Sequence, residues 1–166
     1  IPSNKLSMYG FRLDKVSGKV FAVCSYRDRN TKSKVYKLFE VKKDGTEGIS
    51  IEIEGSRKHR YYNIDVAILE NEMVIAGFTK HDKKDHVFLA RLDKKGQTIS
   101  MSEKTLDELG EVQEGKQEAS LWGNIYDMKL NVLDDHYVFH YTAGYGDNSH
   151  GVGIVRFDKE GAFMDV

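Results

Sequence analysis

Proline, cysteine and tryptophan each occur once in this sequence, and no apolar run is long enough to cross a bilayer. With Cys24 alone, no internal disulfide can form, and its place in an apolar segment predicts a buried structural thiol and not a nucleophile. The formal net charge is −1, with lysine and glutamate mixed along the chain. This balance provides no positive electrostatic potential that would attract nucleic acid or anionic lipid, so we expect neither partner.

Interdomain linkers are also missing. Pro2 is the only proline, and no Gly/Ser-rich stretch divides the chain, so we predict a single domain over residues 1–166. The sequence opens on Ile1 and not on methionine, and we expect a processed product or a segment of a longer chain. Eight Phe and nine Tyr within 40% hydrophobic residues are enough for a real core and exclude a disordered chain.

What the sequence does contain is a repeat made of two apolar segments, and this repeat occurs three times. The clearest copy joins residues 73–78 to residues 87–96 across a polar loop. The other copies join 20–26 to 35–45 and 137–142 to 152–161. The copies end at Gly45, Gly96 and Gly161, where a type I turn with a bulge favours glycine at a positive φ. These glycines are 51 and 65 residues apart, and periods near 50 are typical of propeller blades.

Each copy has a leader segment before it and a trailer segment after it. Apolar residues at every second position predict leader strands at Phe11 and Leu13, at Ile64, Val66 and Ile68, and at Met128, Leu130 and Val132. Trailer strands are predicted at 49–53, 98–101 and 162–164. The units are therefore four-stranded and span about 9–54, 61–106 with an insertion at 102–123, and 125–166.

The insertion is the least regular stretch of the sequence. Ser102 is a candidate cap for a short helix that runs through Leu109 and ends at Gly110. Residues 111–118 follow as an acidic loop, which we expect to be exposed.

The middle copy indicates how the units pack, because side chains alternate along a strand. One face would carry Val87, Leu89 and Arg91, and the other Phe88, Ala90 and Leu92. Apolar residues on both faces indicate a sheet enclosed between two neighbours, whereas a sheet packed on one side alternates apolar with polar. We therefore predict an all-β fold of antiparallel four-stranded blade-like repeats. Rings usually need about four to eight blades, so three would form a partial or oligomer-completed β-propeller; a single antiparallel barrel or sandwich is the alternative.

The residues 77–79, followed by a loop and residues 88–96, resemble the repeat of bacterial, mostly uncharacterised β-propeller proteins. The resemblance extends over residues 9–166 in three copies. It implies a secreted or cell-envelope setting in a bacterium. Because stacked repeats cannot bury their own end faces, we also expect an associating surface at one or both ends: further blades lie outside this segment, two chains combine, or the units pack in an open array.

Two polar loops contain residues that can bind metal ions. Residues 81–86 carry two histidines and two aspartates, and 144–150 carry Asp, Asn, Ser and His. We interpret the first as a solvated hairpin tip and the second as a Gly/Asx turn. His136 and His140 would be ~13 Å apart on a strand, too far to share an ion, and we interpret His140 as a core-strand residue.

Two further groups could bind other ligands. The basic run 57–60 precedes Tyr61 and Tyr62, and cations beside stacking rings suit nucleic acid or an acidic glycan. The alternative, which we favour, is a charged connection whose tyrosines begin the next leader strand. Trp122, near Tyr126, is either a contact platform or core filling, and we favour core filling.

We find no catalytic residue, no cofactor-binding residue, no metal ligand and no cofactor motif in this sequence. The first hypothesis is a non-enzymatic binding or interaction module that contacts an unknown protein or glycan, or itself, through loops 80–86, 102–123 and 143–151. The second is part of a carbohydrate-active enzyme that needs blades outside this segment. That enzyme requires an inward-pointing carboxylate pair, and candidates are Asp127, Asp134, Asp135, Glu114 and Glu118.

Overall fold

The computed structural model describes residues 6–54, 61–109, 125–144 and 150–164, which form eleven strands and one 3₁₀ turn. The first sheet contains β1 (Ser7–Leu13), β2 (Val20–Arg27), β3 (Lys34–Val41) and β4 (Glu47–Glu52). The middle sheet contains β5 (Tyr62–Ile68), β6 (Glu72–His81), β7 (Lys84–Asp93) and β8 (Thr98–Thr105). The third sheet contains β9 (Ile125–Val132), β10 (His136–Gly144) and β11 (His150–Asp158).

All three sheets are antiparallel meanders in which consecutive strands are neighbours. The predicted leaders, core strands and first two trailers are therefore confirmed, as is the all-β class. The third trailer is present as a single bridge between Phe157 and Phe163, with the Met164 N–H donating to the Arg156 carbonyl at 3.0 Å. Because the described strands form three separate sheets, they do not make a single closed barrel.

Three hairpin turns have the predicted conformation. Gly45, Gly96 and Gly161 adopt φ values of 78°, 86° and 92°, where a side chain would be strained. Each glycine N–H donates to the carbonyl three residues earlier, at 2.9, 3.0 and 3.1 Å respectively. The turns therefore close the third strand of each sheet onto the segment that follows it.

A one-residue bulge interrupts the pairing of the first strand in every sheet. The register shifts between Met8 and Gly10 in β1, between Tyr62 and Ile64 in β5, and opposite Thr142 and Ala143 in β9. A bulge bends its strand and increases the local twist. The leader strand of each sheet is thus bent at a similar position along its length.

The middle sheet is enclosed on both faces, as the alternation in the middle copy predicts. We call the face that a sheet turns toward the next sheet in the chain its forward face, and the opposite face its rear face. The forward face of the first sheet packs on the rear face of the middle sheet. The first sheet contributes Phe21, Val23, Tyr36 and Leu38, and the middle sheet contributes Ile64, Val66, Met73, Ile75, Phe88, Ala90 and Leu92.

The forward face of the middle sheet packs on the rear face of the third sheet in the same way. The middle sheet contributes Val74, Ala76, Phe78, Val87 and Leu89, and the third sheet contributes Leu130, Tyr137, Phe139, Tyr141, Val155 and Phe157.

Asp65 joins all three sheets at their leader strands. Its buried carboxylate accepts hydrogen bonds from Arg12 Nε of β1 at 2.9 Å and from the Leu130 N–H of β9 at 2.7 Å. Arg12 also forms an ion pair with Asp65 and donates to the Val66 carbonyl at 3.0 Å. The backbones of the sheets also converge here, since Cα atoms of β5 come within 8 Å of those of β1 and β9.

The predicted helix from Ser102 to Leu109 is wrong over its first part. Ser102 pairs with Leu89 inside β8, and only Asp107–Leu109 is helical, as a 3₁₀ turn. Thr105 caps this turn: its hydroxyl accepts from the Glu108 N–H at 3.2 Å, while the Glu108 carboxylate accepts from the Thr105 N–H at 2.7 Å. This reciprocal capping box identifies the correct start of the turn. The proposed insertion therefore does not begin before Leu106, and residues 110–123 lie outside the described part.

Candidate interaction surface

The rear face of the first sheet is an apolar surface on which no sheet of the described residues is packed. The strand register places nine residues in three rows across β1, β2 and β3. The rows are Met8, Cys24 and Lys37; Phe11, Ala22 and Phe39; and Leu13, Val20 and Val41. Met8, Phe11 and Leu13 are 60%, 55% and 54% exposed. On these three strands eight of the nine positions are apolar, which is the composition of a core and not of a solvated face, whereas β4 continues two of the rows with Glu52 and Ser50 at the edge of the sheet.

The same face is covered in the other two sheets. Positions can be compared by counting back from the turn glycines: the sixth residue before each is Phe39, Ala90 or Val155. Ala90 contacts the first sheet and Val155 contacts the middle sheet, and both are buried. Of the three rear faces, those of the middle and third sheets are therefore covered by a preceding sheet, whereas no sheet among the described residues covers that of the first.

The turn glycines show the same difference. A side chain at Gly96 would overlap the Glu52 carbonyl oxygen of the first sheet, and the Glu54 N–H donates to the Gly96 carbonyl at 3.0 Å. A Cβ on Gly161 would lie 3.1 Å from Leu89 Cδ2 of the middle sheet. Both turns thus dock on the preceding sheet. Gly45 is exposed, and a Cβ placed on it would meet no heavy atom within 4 Å.

The forward face of the third sheet is likewise left uncovered by the part of the chain that the structure describes, but it is more polar. Val152 and Ile154 are 70% and 56% exposed. Around them lie polar and charged side chains, including His140, whose Nδ1 is 3.2 Å from Asn131 Nδ2, and the exposed Arg156. This end of the stack therefore combines a small apolar patch with a solvated border.

Charged groups at the first sheet are paired across neighbouring strands. Lys37 lies 3.5 Å from Glu52 on the rear face, and Lys19 lies 3.1 Å from Glu40. Backbone donation from Ile49 and the Lys19 ammonium lower the pKa of Glu40. Cys24 is buried, as predicted, and burial raises the pKa of its thiol. A thiol kept protonated beneath Met8 and Lys37 is a packing residue and not a nucleophile.

The solvated hairpin tip predicted for residues 81–86 is wrong for its second half. Strands β6 and β7 continue to a turn of two residues, Asp82 and Lys83, with φ values of 50° and 64°. Asp85 and His86 lie inside β7 and are buried, so the exposed part of loop 80–86 is its tip at residues 82–84. The Tyr62 hydroxyl donates to Asp85 at 2.8 Å, and burial together with this carboxylate raises the pKa of Tyr62.

The two histidines of this hairpin form a stacked pair. Their ring centroids are 3.7 Å apart, and His81 Nε2 is 2.9 Å from Glu103 Oε1. Within the described ranges there is no group of three or more His, Cys, Asp or Glu side chains that could hold a metal ion. Residues 145–149 of the second predicted turn lie outside those ranges.

Two further histidines lie on one extended strand. His136 and His140 both lie in β10, with His136 Nδ1 2.6 Å from Asp135 Oδ1. This hydrogen bond lowers the pKa of Asp135. The structure therefore gives each histidine its own partner, and the strand interpretation of His140 is confirmed.

The tyrosines behind the basic run are not ligand platforms. Tyr61 and Tyr62 are both buried, and Tyr61 stacks on Phe88 with ring centroids 4.2 Å apart. Tyr62 begins β5, which agrees with the interpretation of these residues as the start of a leader strand. Residues 57–60 and Trp122 lie outside the described part of the chain, and Tyr126 lies in β9.

The acidic candidates for glycoside chemistry do not form an enclosed pair. Asp127, Asp134 and Asp135 are all exposed. A general acid needs a raised pKa, whereas the pKa of Asp135 is lowered. Glu114 and Glu118 lie outside the described ranges. The described aspartates therefore do not supply the inward-pointing carboxylates that a carbohydrate-active enzyme would require.

The fold and the uncovered faces define a class, which is an all-β protein of stacked antiparallel sheets. No protein-family model, curated protein or solved structure matches the chain. Among the described residues there is no helix of sufficient length and apolarity to cross a membrane.

Proposed function

We propose that this chain is a non-enzymatic interaction module on a β-propeller-like scaffold, and that it binds through the rear face of its first sheet. The observation that carries the proposal is the exposure of an apolar surface whose counterparts in the other two sheets are buried. Exposed apolar patches of this kind mark protein–protein contact sites. The catalytic alternative is not supported by the described aspartates.

Three features support the propeller-like arrangement. The sheets stack in one sense, forward face on rear face, at both of the interfaces between them. Their leader strands converge around Asp65, as the innermost strands of blades around an axis would. The Gly96 and Gly161 turns each dock on the preceding sheet. A parallel stack of flat sheets would not require the leader strands to converge around one residue.

The partner that fits this surface is a protein, and more specifically another sheet face. The surface is broad and apolar, and its charged pair, Lys37 and Glu52, lies on one row. A glycan site would need several hydrogen-bonding groups beside an exposed aromatic ring, whereas the neighbours of Phe11 in its row are Ala22 and Phe39. By its resemblance to bacterial propeller repeats, we further propose a secreted or cell-envelope setting.

The test measures the binding of bis-ANS, a dye for exposed apolar surface, together with the solution mass of the same sample. A monomer that binds the dye, and loses most of the signal in the variant Phe11→Asp, supports an uncovered contact face. An oligomer that excludes the dye and dissociates in the same variant also supports it. The matched control is Ile99→Asp, which changes an exposed residue on the edge strand β8 of the middle sheet, outside this face. A monomer without dye binding would overturn the proposal.

A further inference from the structure

We infer that two copies of this chain assemble head to tail, with the forward face of the third sheet of each copy covering the rear face of the first sheet of the other. This inference rests on the proposed function and identifies its partner as a second copy. The result is a closed ring of six sheets, which is within the range of about four to eight in which rings close.

The first argument is the sense of the stack. The seventh residue before the turn glycine is Leu38, Leu89 or Ile154. Leu38 contacts the middle sheet and Leu89 contacts the third sheet, both from forward faces. Ile154 occupies the same position on the third sheet, where it is exposed. The two uncovered faces are thus the two halves of an interface that the chain already forms twice.

The second argument is the distribution of exposed apolar surface. Pairing two rear faces around a two-fold axis would cover Phe11 and its neighbours but leave Val152 and Ile154 exposed. Head-to-tail pairing covers both patches with one type of contact. The polar groups on the third sheet do not oppose this, because forward faces already carry charge: Arg12 reaches Asp65, and Arg91 lies 2.9 Å from Glu72.

The third argument is the open Gly45 turn. The Gly96 and Gly161 turns dock on the sheet before them, and a Cβ placed on Gly161 would lie 3.1 Å from Leu89 Cδ2 and 3.7 Å from Arg91 Cδ. The corresponding residues of the third sheet are Ile154 and Arg156. In the ring, Gly45 of one copy therefore has a docking position on the other copy.

The area is sufficient for a stable contact. Three strands about seven residues long cover roughly 14 by 23 Å, given strand spacings of about 4.8 Å and rises of about 3.3 Å. This flat footprint of roughly 330 Å² underestimates the accessible surface of the side chains, and the ring contains two such contacts. Together they bury an area comparable to the ~800 Å² per partner of standard interfaces.

The experiment is light scattering on size-separated protein over a wide concentration range, with variants on each face. We expect a species of twice the chain mass. Phe11→Asp on the rear face and Ile154→Asp on the forward face should each weaken association at least about 30-fold, because each places a charge at the centre of the contact. Mixing the two variants should restore a dimer, since the mixture retains one intact pair of faces. Ile99→Asp is the control, because Ile99 is equally exposed at 56% but lies on β8 of the middle sheet, whose two faces are already covered. Circular dichroism verifies that each variant is folded.

Each other outcome overturns the inference in a distinguishable way. A monomer at all concentrations that still binds bis-ANS would exclude the second copy as partner and leave the proposed function standing. A dimer that dissociates in Phe11→Asp but not in Ile154→Asp would indicate pairing of two rear faces. Mass that increases steadily with concentration would indicate an open chain of copies and not a ring.

Discussion

Leu92 in the middle sheet and Leu13 in the first sheet both lie on rear faces, yet Leu92 is 0% exposed and Leu13 is 54% exposed. The same residue type therefore has two environments, and the difference comes from the neighbouring sheet and not from the strand itself. Alternation along a strand determines which side chains share a face. Only the stacking of sheets determines whether that face is covered.

The largest effect should come from Asp65, which holds the middle sheet to both neighbours. Asp65→Ala removes the acceptor of Arg12 and of the Leu130 N–H, and breaking a buried ion pair costs about 3–5 kcal/mol. Urea unfolding measures the change. The surface pair Lys37–Glu52 provides the control, because Glu52→Gln should cost less than about 1 kcal/mol. Equal losses for the two variants would contradict the role of Asp65 as the common anchor.

A matched pair of leucines tests the comparison of the two rear faces directly. Leu92→Ala should lower the free energy of unfolding by about 2–5 kcal/mol, as for other buried leucines. Leu13→Ala should cost less than about 1 kcal/mol, because only part of the side chain is buried in the single chain. The unfolding should be measured on dilute protein, so that association does not contribute. A large loss for Leu13→Ala under those conditions would mean that the first sheet is covered within one chain.

A matched pair of glycines tests the docking of the turns. Gly45→Ala should cost about 1 kcal/mol, since alanine is strained at its positive φ but meets no neighbouring atom. Gly96→Ala has the same strain and also forces a side chain against the Glu52 carbonyl, so its unfolding midpoint should decrease clearly further. Similar midpoints for the two variants would show that the Gly96 turn does not dock on the first sheet.

The smallest effect concerns Asp14, which connects the turn after β1 to the middle sheet through Lys94 at 3.4 Å. Burial opposes its ionisation, but hydrogen bonds from Ser17 and Val16 and the Lys94 charge outweigh burial and lower its pKa. Its contribution to stability is therefore present above the unfolded-state pKa of about 4 and is lost as the pH falls toward the folded-state value. Asp14→Asn should reduce stability near pH 6 and converge with the unchanged protein in acid. A difference that persists in acid would contradict the electrostatic explanation.

Most strands could be predicted because apolar residues at alternate positions, turn glycines and short polar breaks are local signals. Two errors had different causes. The capping box at Thr105 and Glu108 is readable in the sequence and was the better start signal for the helical turn. The burial of Asp85 depends on the hydroxyl of Tyr62, which is 23 residues away, and no local pattern announces that contact.

The interaction surface could be predicted only in part. Alternation in the middle copy indicated a sheet with two covered faces, and the expected association of end faces followed from it. The role of Asp65 could not be inferred, because its partners Arg12 and Leu130 lie in other sheets and far away in the sequence. Within its own strand Asp65 resembles any other polar residue. The exposure of Phe11 and Met8 likewise depends on how sheets are stacked.

The most direct test of the account is the rate of methionine oxidation by dilute peroxide, followed by peptide mapping. Met8 and Met73 both lie on rear faces, but Met8 is 60% exposed and Met73 is 1% exposed. In dilute monomer we expect Met8 to oxidise at least about tenfold faster than Met73, because oxidation follows exposure. Comparable protection of Met8 and Met73 in the monomer would contradict the claim that a single chain leaves the first sheet uncovered.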